Sequence, residues 1–283
     1  MECRRAVQAL AVCLFLGWQD HVLGQVFISG TLPLPRLEQA DQMPAFPANF
    51  SSQAWQEVRE KSESLQKRRI ILDAGHGGKD VGASGRPDIL EKQVNLELVQ
   101  TLARRLESDG RFLVVVTREG DSTVSLFERT KKGFEEPTIL FISLHANWLK
   151  DGRIRGTEIY VPWEKTDPSK NLDPCENKQT KELLPAVLSK DRRIWALQMD
   201  RFALQLSALI RTHFPDRTVR VQREDFFVLR CAGAPSVLIE VGYVSNSGDA
   251  KRIEDAEWRG QMAEAIYQSI VAYFYPPPYI YKE

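Results

Sequence analysis

Neither sign of charge is in excess in this chain: Lys+Arg and Asp+Glu stand at 38 each, a formal net charge of +0 at pH 7. With no long-range field there is no ground for a nucleic-acid or anionic-membrane partner, so recognition has to be local. Cysteine is sparse, four in 283 residues. Cys3 and Cys13 fall in the N-terminal stretch, and the remaining pair, Cys175 and Cys231, leaves one disulfide or two unrelated thiols open. Long apolar runs are missing too. The stretch from Ala6 to Trp18 falls short of the roughly 20 residues a bilayer span needs, so no stable membrane span is expected. Arg4 and Arg5 precede it and Val22-Leu23-Gly24 follow, the basic, apolar, small-residue order of a secretory signal. Residues 1–24 are read as a signal peptide for Sec-type export, which makes the protein periplasmic or secreted. Val12 stands before Cys13 where a lipidation site would carry a small residue. No internal repeat is visible.

What is present fills a core: 43% of the residues are apolar. Residues 25–67, with prolines at 33, 35, 44 and 47, read as a linker carrying a short helix over Trp55–Leu65. From 68 to 275 the pattern alternates in the manner of a single α/β domain, with a twisted, mostly parallel six-stranded sheet flanked by helices. Strands are expected at Arg69–Leu72, Phe112–Thr117, Thr138–Leu144, Gly156–Val161, Val219–Gln222 and Ser236–Glu240. Helical stripes recur through Val94, Leu98, Leu102 and Leu106, predicting a helix over Glu91–Ser108. Leu197, Phe202, Leu206 and Leu209 predict one over Ile194–His213, and Ile253, Met262, Ile266 and Ile270 one over Gly248–Phe274. Prolines at 162, 168, 174 and 185 mark residues 162–193 as an insertion, read as a regulatory or lid segment or as a plain excursion. Residues 276–283 form a C-terminal tail.

Histidine is as rare as cysteine, four in all, and two of the four stand at strand ends. His76 follows Leu72-Asp73-Ala74-Gly75, and His145 closes Leu140-Phe141-Ile142-Ser143-Leu144. Glu91 opens a helix, where backbone amides favour a negative charge, and Glu240 closes Ser236-Val237-Leu238-Ile239. Two imidazoles and a carboxylate form the donor set of a catalytic zinc with an open vertex, and a further carboxylate supplies a base. The spacing is not a local His-Glu-x-x-His pattern, and either histidine taken alone reads first as a structural residue. Glu240 alone reads equally as a salt-bridging strand-end glutamate.

The motifs resemble a known family. Leu72 to Asp80, with Gly82-Ala83 after it, resembles the first motif of zinc-dependent N-acetylmuramoyl-L-alanine amidases of the Amidase_3 (AmiC-like) type. Ser143-Leu144-His145-Ala146-Asn147 resembles the second-histidine motif, Arg155-Gly156-Thr157-Glu158 the strand that follows, and Phe227-Val228-Leu229-Arg230 with Pro235 to Asn246 the terminal motif. The resemblance covers about Arg69 to Phe274. It implies that His76, Glu91 and His145 bind one Zn2+ per chain and that Glu240 is the catalytic base. The substrate it implies is the amide between N-acetylmuramic acid and L-alanine in peptidoglycan, cleaved for wall remodelling or daughter-cell separation. It also implies that the insertion blocks the site until a protein activator docks. Asp73 and Asn147 are read as orienting the imidazoles or as stabilising turns, and Arg230, with Lys79, Arg86, Arg153 and Arg155, as solvated surface charges or as meeting stem-peptide carboxylates. One departure stands out: Lys131-Lys132-Gly133-Phe134 replaces an Ala-Asn pair, which puts local helix packing in question. The alternatives are a zinc peptidase acting on the stem peptide, a wall-binding module that has kept the fold without activity, and an α/β domain whose histidines are structural.

Overall fold

A computed structural model of the chain describes residues 67–83, 89–163 and 184–276. The signal peptide, the linker helix, Cys175, Arg86 and most of the insertion and tail lie outside the described residues. Six strands, β1 (Arg68–Ala74), β2 (Phe112–Val116), β3 (Leu140–Asn147), β4 (Thr157–Pro162), β5 (Val219–Glu224) and β6 (Ser236–Tyr243), form one sheet in the order β2-β1-β3-β6-β4-β5. Neighbours run parallel except for β4 against β6, so β4 and β5 point opposite to the other four. All six strands lie where they were expected, within a few residues at their ends.

Side-chain alternation divides the sheet into two unequal faces. Ile70, Leu72 and Ala74 of β1 join the larger apolar cluster, while Ile71 joins the smaller. Helices α1 (Glu91–Asp109), α3 (Leu184–His213), α5 (Ser247–Glu254) and α6 (Ala256–Phe274) supply the larger cluster through Val94, Leu98, Phe202, Leu206, Ile253 and Ile266. The short α4 (Phe227–Arg230) covers the other face with Val228 and Leu229 against Phe141 and Leu238, and α2 (Leu126–Glu135) packs beside it.

Three helical expectations are corrected. The stretch Gly248–Phe274 is two helices: Asp255 ends α5 and caps α6, its carboxylate accepting from Glu257 N at 2.9 Å. Helix α3 begins at Leu184, so Pro185 lies in its first turn, where a missing N–H costs nothing. The last ten residues assigned to the insertion therefore belong to a core helix. Helix α2 has no counterpart among the predicted apolar stripes, although Ser125 and Glu128 form a capping box legible in the sequence. Gly133 answers the question of local packing, because a Cβ there would lie 1.7 Å from Ala232 O, and its absence lets α2 press onto the segment before β6.

Candidate metal centre

Where β1 ends, the chain turns through Gly75, His76, Gly77 and Gly78. A Cβ at Gly75 would lie 2.2 Å from His145 Cε1, so only glycine lets the second imidazole lie against this turn. His76 has φ 59, the left-handed region that L side chains avoid. Its ring is addressed on both nitrogens, Nδ1 at 2.8 Å from Asp80 Oδ2 and Nε2 at 3.2 Å from Glu91 Oε2.

Glu91 is 4% exposed at the first residue of α1. Oε2 accepts from Ala83 N at 2.6 Å, and Oε1 accepts from Ala146 N at 3.1 Å and lies 2.9 Å from His145 Nδ1. One carboxylate thus gathers the His76 loop, the end of β3 and the start of α1. The two imidazole rings stand edge to face, centroids 5.0 Å apart. One donor atom from each of His76, Glu91 and His145 falls within 4.8 Å of the others.

The electrostatics follow from this crowding. Burial raises the Glu91 carboxyl, but hydrogen bonds to His145 and His76 and their charge outweigh it and hold the group well below the usual carboxylate range. Burial lowers His76, yet Glu91 and Asp80 overcome it and push the imidazole up to about 9. His145 is likewise raised, burial being outweighed by its bond to Glu91 and the charges of Glu240 and Glu91. The cluster therefore attracts cationic charge. Two imidazoles and one carboxylate, without thiolate and with His76 Nδ1 anchored by Asp80, are the donor set that suits zinc.

Glu240 on β6 is the register neighbour of His145 on one side and of Glu158 on the other. Its Oε2 is buried with no hydrogen-bond partner. Burial pushes its carboxyl up to about 7, with Glu91 and Glu158 adding to the rise and His145 opposing it. Glu158 itself is satisfied: it accepts from Asn147 Nδ2 (3.0 Å), Tyr160 OH (2.8 Å), Arg220 Nε (3.0 Å) and Gln222 Nε2 (2.8 Å). An orphaned, readily protonated oxygen beside a cation-seeking cluster is equipped to take and return a proton.

The structure brings His76, Glu91, His145 and Glu240 together. It gives Asp73, Asn147, Arg230 and Arg153 other partners. Asp73 accepts from Thr117 Oγ1, Ser143 Oγ and Arg129 Nη1, each at 2.7 Å, and contacts neither imidazole. Asn147 donates to Glu158 and accepts from Trp148 N. Arg230 Nη1 pairs with Asp225 at 2.6 Å, and Arg153 with Asp151. His213 meets Gln268 at the end of α3. Cys231 is buried and disulfide-bonded. Sequence reasoning missed Asp80 as the partner of His76, although it stands four residues on in the same motif. It also missed Glu158, whose place beside Glu240 depends on an antiparallel pairing with no local signature.

Residues 70–272 match the family described as N-acetylmuramoyl-L-alanine amidase. Among curated proteins, LytC of Bacillus subtilis, named an N-acetylmuramoyl-L-alanine amidase, is 28% identical over 205 residues, 72% of this chain and 35% of its own length. AmiB of Haemophilus influenzae, named a probable amidase of the same kind, is 32% identical over 222 residues, 72% of this chain and 51% of its own. The chain thus spans about a third to a half of these relatives. Among solved structures, the amidase AmiC2 of Nostoc punctiforme superposes with a TM-score of 0.57 at 27% identity, covering 73% of this chain and 97% of that one. CwlD of Clostridioides difficile, solved in complex with the GerS lipoprotein, gives 0.54 at 27%, covering 74% and 98%.

Proposed function

This chain belongs to the N-acetylmuramoyl-L-alanine amidase family, and from that premise we propose that it hydrolyses the amide between the lactyl group of N-acetylmuramic acid and the L-alanine of the peptidoglycan stem peptide, with one Zn2+ held by His76, Glu91 and His145. A zinc ion at such a site supplies Lewis acidity to the scissile carbonyl and to the attacking water. Glu240 Oε2 takes the proton of that water as the carbon–oxygen bond forms. It returns the proton to the L-alanine nitrogen as the carbon–nitrogen bond breaks, leaving a muramic acid carboxylate and a free peptide amine. Burial raises the proton affinity of this carboxyl, which favours its taking that proton.

The observation that carries this reading is the convergence of two imidazoles and a carboxylate beside the unpartnered oxygen of Glu240. Metal analysis of the purified protein, coupled to digestion of sacculi by the parent and by Glu240→Gln, tests it. The variant is expected to retain one zinc and to lose about 10²- to 10⁴-fold in turnover. An amidase releases peptides with a free L-alanine amino terminus and leaves the glycan intact; cleavage within the stem peptide would establish a zinc peptidase instead.

Export by residues 1–24 to the periplasm or exterior, and a role in wall remodelling or daughter-cell separation, belong to the same proposal. Among the described residues no helix is long and apolar enough to cross a membrane. An activator acting through the insertion is proposed as well, in keeping with the capture of CwlD on a lipoprotein partner.

A further inference from the structure

Two arginines, each 4% exposed, surround the backbone of the His76 turn: Arg118, just past β2, and Arg129 on α2. Arg118 Nε donates to Ala74 O at 2.9 Å, Nη1 to Gly120 O at 3.0 Å, and Nη2 to both Gly75 O at 3.0 Å and Lys92 O at 2.6 Å. Arg129 Nη1 donates to Ala74 O at 2.6 Å and Asp73 Oδ1 at 2.7 Å, Nη2 to His76 O at 2.7 Å, and Nε to Val124 O at 3.2 Å. The carbonyls of residues 74, 75 and 76, three in succession, all end on guanidinium N–H groups.

The chain needs these donors because it leaves the sheet at this point. A residue in the left-handed region turns its carbonyl away from the strand ladder, and a buried carbonyl without a donor is destabilising. The planar guanidinium offers several donors in a fixed fork, which a lysine ammonium cannot reproduce. Arg118 does more than satisfy the turn. Its Nη2 joins Gly75 O, next to His76, to Lys92 O, next to Glu91, and so spans the two segments that carry the first two donors. Asn95 Nδ2 repeats that span, at 3.2 Å from Gly75 O and 3.4 Å from Glu91 Oε1.

We infer that Arg118 and Arg129 are positioning residues of the metal centre, holding the His76 turn in its left-handed form and fixing its spacing to Glu91, so that affinity for zinc depends on them. The inference rests on the zinc reading above. Neither guanidinium is bonded to Glu240, so the chemical step in the loaded protein is not where their loss is felt. Both also bond to Ala74 O, and Arg129 pairs with Asp73 within β1, so the affinity of each variant is read beside its thermal midpoint.

The test is the zinc dissociation constant, by competition with a chromophoric chelator, of the parent, Arg118→Lys, Arg129→Lys and Arg69→Lys, each with its thermal midpoint. Arg69 is a buried arginine at the opposite end of β1, donating to Glu136 O and Thr138 Oγ1, and its variant reports what loss of a buried fork does through stability alone. Arg118→Lys and Arg129→Lys are expected to bind zinc about 10- to 100-fold more weakly, with turnover recovered at saturating zinc. Arg69→Lys is expected to melt earlier at the parent's affinity. Parental affinity in Arg118→Lys and Arg129→Lys, an equal weakening in Arg69→Lys, or loss of the folded far-UV spectrum in both Arg118→Lys and Arg129→Lys overturns the inference in favour of a purely structural role. A parent that binds no zinc fails the zinc reading itself and takes the inference with it, a result distinct from a parent and variants that bind equally well.

Discussion

At the scale of single residues, Glu91 shows why a candidate metal centre need not be contiguous in sequence. Its two oxygens take backbone N–H groups from Ala83 and Ala146 and face an imidazole from each of two strand ends. Four of the decisive residues were legible in the sequence because each stands at the boundary of a strand or helix, where glycine, a switch of period or the end of an apolar run announces it. The residues that hold them were not legible. Asp73 reads as a partner for histidine only if its strand is considered alone; in the folded sheet Thr117, Ser143 and Arg129 reach it first. Asp80 is the counterpart of that error, an exposed aspartate whose value comes from lying 2.8 Å from His76 Nδ1. Asp80→Ala frees that nitrogen and is expected to weaken zinc binding about tenfold, while Asp80→Asn, which keeps an acceptor in place, retains most of the affinity. Equal affinity in parent and alanine variant, by chelator competition, would remove Asp80 from the metal site.

Among the elements, strands were read more faithfully than helices, and the reason is physical. A buried strand carries its signal in a short apolar run, as in Ile70–Leu72 or Val237–Ile239, whereas helix ends are set by side-chain caps that periodicity ignores. The apolar stripe passes without interruption across Asp255, where the backbone breaks. Helix α1 also shows an end fixed by side chains: Asp109, an acid in its last turn, is matched by Arg111, 2.5 Å away, and by Tyr267 of α6. The Arg111 hydrogen bond, against a smaller opposing effect of burial, brings the Asp109 carboxyl down to about 2. A carboxyl lowered by folding stabilises above its ordinary value near 4 and loses that contribution as pH falls through about 2. Asp109→Asn is accordingly expected to melt earlier than the parent at pH 6, with the gap narrowing below pH 4 and closing near pH 2. A gap in thermal midpoint that does not change with pH would contradict the assignment.

Considered as a whole, the sheet lines up part of its polar chemistry in one row: His145, Glu240, Glu158 and Arg220 are successive register partners across four strands. That row was invisible in the sequence because β4 enters antiparallel between β6 and β5, and strand order has no local code. The proposed regulatory insertion is tested at this scale. Because β4 ends at Pro162 and α3 starts at Leu184, deletion of residues 167–181 spares both, whereas a longer cut would remove part of a core helix. With Cys231→Ser in parent and variant alike, release of peptide from sacculi is expected to rise on deletion, and an unchanged rate would dismiss autoinhibition.

The strand order carries one more consequence. From β1 the chain departs toward one margin of the sheet, to β2, and from β3 toward the other, to β4. The loops leaving these adjacent strands diverge beyond their carboxyl ends, the topological position at which open α/β sheets place ligand sites, and His76 stands just past the end of β1 and His145 near the end of β3. Loops of this kind tolerate insertion and exchange without disturbing the scaffold beneath. The loop after β1 carries His76 itself and the Ala83 N–H that Glu91 accepts from, so of the two only the loop after β3, which starts beyond His145, is free to vary in length without moving a proposed ligand.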